Sequence, residues 1–221
     1  MVGFLGKFRV VQAPAIGLQD LATLLRQRAG PGRVIAAIAG PPGSGKSTIA
    51  ETLMAQLNAT EPGSAAVFPM DGYHYDDLYL VPQGLRPRKG IPETFDVNGF
   101  RHMLSRLRAN EEPEVSVPVF DRDLEIARAG ARMIAQSVRI VVTEGLYLLL
   151  RHPDWARLRP MYDVAVLMDV PEPVLRQRLT RRWQSYQLTE EEIAWKLDGN
   201  DLPNGRFVMA ESSTPDYRIE A

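Results

Sequence analysis

The sequence contains no cysteine, which excludes disulfides, thiolate metal centres and a cysteine nucleophile. Histidine is nearly as scarce: His74, His102 and His152 are the only three, too scattered to build a metal-ligand set. Neither sign of charge dominates, with 26 Lys and Arg against 27 Asp and Glu in 221 residues. Without a general basic field no nucleic-acid partner is expected, and any positive site has to be local. Long apolar runs are missing too. Stretches such as 146–150 and 164–168 fall far short of the about 20 residues that cross a bilayer, so no membrane insertion is expected. Residues 1–11 carry Lys7 and Arg9 inside their apolar part and no cleavage motif, so they do not read as a signal peptide, and a cytoplasmic protein is expected. The length suits one α/β domain with insertions rather than two domains.

What the chain does have is Gly40-Pro41-Pro42-Gly43-Ser44-Gly45-Lys46-Ser47-Thr48. An apolar run, 34–39, precedes it, and a segment of helical periodicity, 49–57, follows. Strand, glycine loop and helix start in that order give the G-x-x-x-x-G-K-[ST] pattern its meaning. Glycines let backbone N–H groups converge on phosphate oxygens where no side chain would fit, and the helix N-terminus adds a positive dipole end. Gly40, Gly43, Ser44, Gly45, Lys46, Ser47 and Thr48 are therefore assigned to a nucleotide, with Lys46 reaching the β- and γ-phosphates and the Ser47 hydroxyl a ligand to Mg²⁺.

Further along, residues 65–70 read as a second buried strand ending at Asp71. In open α/β sheets ligands sit beyond the carboxyl ends of the strands, which puts Asp71 at the edge that carries the glycine loop. A carboxylate there can orient, and take the proton from, a hydroxyl attacking the γ-phosphate. Residues 78–95 are rich in Pro, Gly and Arg and show no periodicity, and within them Arg86, Arg88 and Lys89 form a small basic cluster. A helix is expected over 96–109. A short edge strand or extended arm is expected over 115–120, because Pro118 argues against a central strand, followed by Asp121-Arg122-Asp123. Residues 130–136 read as a connection into a β-rich run, 138–145, whose Glu144 occupies a Walker-B-like position, tied to Mg²⁺ through water or to the substrate.

Residues 16–29 read as a helix ended by Gly30-Pro31-Gly32, and 163–169 as another buried strand. Pro171-Glu172-Pro173 then opens a helix that places Arg178, Arg181 and Arg182 on one face, where arginines can fold over a γ-phosphate. Thr189 and Glu192 form a capping-box pattern for a helix to about residue 197. Residues 200–205 read as a turn and 206–209 as the last strand.

This ordered set resembles the phosphoribulokinase and uridine kinase family of P-loop kinases, which includes one type of pantothenate kinase. Among them the chain looks most like the bacterial proteins named fructose transport system kinases. The residues that carry the resemblance are the glycine loop, Met70-Asp71-Gly72-Tyr73-His74, Arg88-Lys89-Gly90 with Pro92-Glu93-Thr94-Phe95-Asp96, Pro118-Val119-Phe120-Asp121-Arg122, Thr143-Glu144-Gly145, the run from Arg178 to Trp183, and Asn200-Asp201 with Pro203-Asn204.

The resemblance implies an α/β P-loop NTPase fold, a five-stranded, mostly parallel sheet flanked by helices. It also implies ATP as donor, Mg²⁺, Asp71 as base, a lid over 173–200 that carries Arg178 and Arg182, and Asn200 and Asn204 near the adenine. A substrate-side insertion is placed at 78–122. Tyr73, His74, Arg88, Lys89 and Arg122 are the candidate acceptor contacts, with Glu144 shared between metal and substrate. The segment by which uridine kinases grip the base is not recognisable, which speaks against a nucleoside; a sugar-like metabolite, fructose or a related sugar, is the acceptor that the resemblance suggests. A nucleoside or pantothenate is the alternative, and an ATP-binding module without transfer activity is the reading from another class. A homodimer is left open.

Overall fold

Six apolar residues without alternation have no face to offer water, and a strand made of them has to lie inside a sheet covered on both sides. In the computed structural model, which describes residues 13–30 and 32–221, Val34–Ala39 is that strand, β1, buried along its whole length. The expectation for residues 1–11, and Pro31 in the break after the first helix, lie outside the described residues. That helix, α1, spans Leu18–Arg28.

After β1 come α2 (Lys46–Thr60), β2 (Ala65–Pro69), α3 (Asp77–Leu80), α4 (Val97–Ala109), β3 (Glu114–Asp121), β4 (Ile126–Ala135) and β5 (Ile140–Gly145). The chain continues through α5 (Pro153–Ala156), β6 (Val164–Asp169), α6 (Glu172–Ser185), α7 (Glu190–Lys196), a π-helical turn at Leu197–Asp201, α8 (Leu202–Glu211) and β7 (Tyr217–Glu220). Five strands form one sheet in the order β2-β5-β1-β6-β7, every pair parallel. In register, Ile38 lies beside Glu144, which lies beside Pro69. The carboxyl ends of β1, β5 and β2 therefore deliver the glycine loop, Glu144 and Asp71 to one edge.

Helices cover both faces. Leu21 and Leu25 of α1 and Leu53 and Leu57 of α2 fill one side, while Phe100, Leu104 and Leu107 of α4 join Phe68, Tyr147 and Trp155 on the other. Each such side chain, fully buried, contributes roughly 1.5–3 kcal/mol. Helix α4, inside the 78–122 stretch, thus supplies core. Its start is fixed by Asp96, whose carboxylate accepts from the Gly99 N–H. Among the described residues no helix is long and apolar enough to cross a membrane.

Four expectations change. Residues 206–209 are not a strand and 200–205 are not a turn: Pro203 occupies the first turn of α8, where its missing N–H costs nothing, and the last strand is β7. Residues 130–136 belong largely to β4, which pairs antiparallel with β3 as a separate two-stranded ribbon. The strand expected over 115–120 is present as β3, with one edge open, and the register shifts between Val117 and Val119, around Pro118. Residues 78–95 are not structureless, since α3 and two 3₁₀ turns, Arg86–Arg88 and Pro92–Thr94, lie there.

Candidate active site

The loop between β1 and α2 is shaped by its glycines. Gly43 and Gly45 sit at φ of 75° and 88°, where a side chain is strained. A Cβ on Gly40 would come within 2.7 Å of the Met168 Cβ. At the start of α2, Ser47 and Thr48 are exposed, whereas Lys46 is buried. Burial lowers the Lys46 pKa, and Glu144 and Asp71 oppose that shift. The Ser47 hydroxyl donates to Glu144 Oε2 at 3.1 Å, so the two residues assigned to the metal lie together. Burial first, then the neighbouring Asp71, pushes the Glu144 carboxyl up to about 6.

Asp71 stands on the 3₁₀ turn Met70–Tyr73 that leaves β2. Its Oδ2 accepts from the Arg122 guanidinium at 2.7 Å, and its Oδ1 is buried with no partner. Burial alone would raise its pKa, but His74, Arg122, Lys46 and Arg182 together hold it below the ordinary carboxylate value. The result is an ionised carboxylate with one oxygen still to be satisfied, which a buried polar atom ordinarily is. The turn is placed by a close approach: a Cβ on Gly72 would be driven into the Pro118 carbonyl of β3.

Lys46, Asp71, His74, Lys89, Arg122, Arg182, Asn200 and Asn204 all line one cleft at the sheet edge, joined there by Gly43 of the loop. His74 is wedged between the Phe95 and Phe120 rings, with centroids at 4.0 and 4.7 Å. Burial lowers its pKa, and its Nδ1 lies 2.8 Å from the Asp71 carbonyl oxygen. A carbonyl only accepts, so Nδ1 carries the proton and Nε2 is left as an acceptor. The Lys89 ammonium is already spent on Asp77 (2.8 Å) and on the Glu125 carbonyl (2.7 Å), which fastens the 86–90 segment to the β3–β4 turn. Asn200 donates to the Lys89 carbonyl and Asn204 to Asn200.

Two acceptor candidates are not in the cleft. The Tyr73 ring packs into the core, edge-on to Phe68 and Phe100 at 5.8 and 5.3 Å. Arg88 is exposed, and Arg86 lines the cleft in its place. The two arginines expected in a lid divide as well. Arg178 donates to the Ser44 carbonyl at 3.3 Å, bracing the loop, while Arg182 reaches the cleft.

Sequence reasoning passed over Trp183 and Asp201, both in the cleft wall. The Trp183 indole N–H donates to Asp201 Oδ2 at 2.7 Å, and burial raises the Asp201 pKa. Their signal was present, since both lie inside the segments that carry the family resemblance. Among the described residues no cluster of three or more His, Asp or Glu side chains stands ready for a metal. The donor set at Ser47 and Glu144, one hydroxyl and one carboxylate, suits Mg²⁺, which keeps much of its water and takes few protein ligands.

A glycine loop after the first strand, a buried lysine at the head of the next helix and an acid at a neighbouring strand end define a P-loop phosphotransferase. "Putative uridine kinase C227.14" of Schizosaccharomyces pombe is 32% identical over 195 residues, 85% of this chain and 83% of its own length. "ATP-dependent kinase YFH7" of Kluyveromyces lactis is 28% identical over 204 residues, 72% of this chain and 57% of its own length. Among solved structures, a "putative fructose transport system kinase" from Silicibacter sp. TM1040 is 38% identical, with a TM-score of 0.85 over 94% of this chain and 100% of that one. No family model matches the chain. The chain belongs to the uridine kinase-like family of P-loop kinases, and relatives that are ATP-dependent kinases imply ATP as its nucleotide.

Proposed function

We propose that the protein transfers the γ-phosphoryl group of ATP to a hydroxyl of a small sugar-like metabolite, with Asp71 as the base. The observation that supports this most is the free Oδ1 of an ionised, buried Asp71 in the cleft that also holds Lys46. In-line phosphoryl transfer asks for positioning and charge neutralisation more than covalent help. Amides of the 40–48 loop and Lys46 grip the phosphates. Asp71 Oδ1 accepts the hydrogen bond of the attacking alcohol and takes its proton as the new O–P bond forms. Arg122 holds the other oxygen and so fixes the carboxylate's orientation. Arg182 neutralises charge that develops on the transferred group, and residues 173–200 close over it. Asn200 and Asn204 lie near the adenine. His74 contacts the acceptor, and Lys89 holds the wall against which the acceptor rests.

Ser47 and Glu144 are the residues that would hold Mg²⁺. Bound there, the ion would supply positive charge against that of the phosphates. The sugar-like acceptor takes its support from the name of the Silicibacter relative, and a nucleoside, as in the name of the yeast one, is the alternative.

A coupled ATP-consumption screen over hexoses, pentoses, nucleosides, pantothenate and glycerate tests the reading. Lys46→Ala should lose transfer and most ATP affinity, and Asp71→Asn should lose transfer, by 10²-fold or more, with ATP affinity kept, since general-base catalysis contributes roughly 10²–10⁴-fold. An active Asp71→Asn enzyme would refute the base assignment.

A further inference from the structure

Beside Asp71 the cleft opens into a recess lined by Arg86, Arg122, Arg182 and Lys196 with Asp123 and Glu125. No residue of the 40–48 loop lines it; its four cations also border the cleft that the loop enters, and Arg182 is the one shared with the transferred phosphoryl group. Four positive side chains face two negative ones, and the pairing is uneven. Arg86 is neutralised within the protein by Asp77 and Glu125. Arg122 uses one nitrogen on Asp71, and a guanidinium has five N–H donors.

Arg182 and Lys196 rest on the Trp183 ring, 5.2 and 4.7 Å from its centroid, with no ion-pair partner among the described residues. The nearby Asp201 carboxylate is committed to the Trp183 N–H. Burial, and then the neighbouring Arg122, lower the Arg182 pKa. Asp201 and Asp71 oppose part of this charge, but cations crowded at a partly dry wall without ion-pair contacts are costly, and an anion in the recess relieves that cost. A neutral sugar or nucleoside would leave it unrelieved.

We propose that the phosphoryl acceptor is itself an anion, a hydroxylated small molecule whose carboxylate or phosphate seats in this recess against Arg122, Arg182 and Lys196 while its hydroxyl meets Asp71. This rests on the kinase reading above and narrows its substrate class. Arg122 then touches both ends of the chemistry, holding the base with one nitrogen and the acceptor's charge with the others. Guanidinium forks suit both anions, being able to bond either group through two oxygens.

The test fills the loop with a non-hydrolysable ATP analogue and Mg²⁺ and titrates matched probes by calorimetry: fructose, fructose 6-phosphate and gluconate, then glycerol, glycerol 3-phosphate and glycerate. The expected result is that a charged member of one set binds at least tenfold more tightly than its neutral counterpart and weakens with added salt. The phosphate and carboxylate arms decide between the two anions. Lys196→Gln should erase most of that preference, Lys196→Arg should restore it, and neither should change the affinity for the ATP analogue. Equal or tighter binding of the neutral members overturns the proposal, as does failure of every charged probe to bind the loaded protein. Tight, salt-sensitive binding without phosphoryl transfer from ATP would uphold the anion site and defeat the kinase reading instead.

Discussion

Two buried carboxylates at neighbouring strand ends, Asp71 and Glu144, meet opposite fates. Asp71 is ringed by His74, Arg122, Lys46 and Arg182, which outweigh its burial, whereas at Glu144 burial and the charge of Asp71 outweigh Lys46 and Ser47. A carboxyl whose native pKa is about 6 against 4.5 for the free group stabilises the fold fully below pH 4.5. That contribution is lost as pH rises through 6, on the order of 2 kcal/mol. Glu144→Gln should therefore match the natural protein near pH 4 and melt several degrees higher at pH 8, while transfer falls at least tenfold. Melting curves at the two pH values check this, and equal stability at pH 8 would contradict the stored cost. Asp71 works the other way, its stabilisation being present above the free value of 3.8 and lost as pH falls through the lower native one. That Lys46, Ser47, Asp71 and Glu144 share one edge was legible because the first three follow a recognisable strand and Glu144 lies near the end of one. Tyr73 misled because it lies two residues from Asp71. Along a 3₁₀ turn, about three residues per revolution, successive side chains fan apart, and that of Tyr73 enters the core.

At the scale of elements, the position of the base depends on contact between the 70–73 turn and the β3–β4 ribbon. Since a Cβ on Gly72 would meet the Pro118 backbone, which has no flexible side chain to yield, Gly72→Ala should push the turn off the ribbon. Overpacking of this kind costs about 1–3 kcal/mol. The sharper expectation is kinetic: kcat falls at least tenfold while ATP affinity, set by the loop after β1, is unchanged. Parallel loss of both would place the damage in the sheet. A second contact, from Trp183 on α6 to Asp201, ties that helix to the π-helical turn of the cleft wall. Trp183→Phe leaves a buried carboxylate unpaired, at a cost of about 1–3 kcal/mol, and puts a smaller ring, a weaker cation–π partner, in place of the indole beneath Arg182 and Lys196. It should lower the melting temperature and weaken acceptor binding together. These elements were the hardest to foresee. The strand β4 is half-exposed and pairs through backbone bonds rather than burial, so its residues carry no alternating pattern. Helix α8 begins with Pro203 and contains Gly205, both of which read as turn formers. That glycine lets the helix lie against Pro41 of the nucleotide loop, where a Cβ would meet the proline at 3.2 Å.

For the whole molecule, four strands of the central sheet, β1, β2, β5 and β6, were legible because they are largely apolar runs, and a run that is apolar on both faces has one place to go; β7, with Arg218 and Glu220, carries no such signal. The site edge followed from strand direction alone. What the sequence could not convey is how far segments distant in the chain, 86–90, 120–125 and 196–204, converge on one cleft, because that depends on packing and not on local pattern. The two cores meet at this sheet, with the nucleotide loop hung from its central strand, so occupancy of the loop should be felt by the entire fold. A ligand that binds only the native state stabilises it by RT ln(1 + [L]/Kd), about 2.7 kcal/mol at 100 times Kd. For a chain of this size that is roughly 5–10 °C in Tm at 2–4 °C per kcal/mol. Mg·ATP should produce such a shift in the natural protein and in Asp71→Asn, whose carboxamide lies outside the loop, and none in Lys46→Ala. The same complex should slow proteolysis within 173–200 if those residues close over the phosphates. A full shift in Lys46→Ala would mean that the nucleotide is held elsewhere, and with it the assignment of Asp71 would lose its partner.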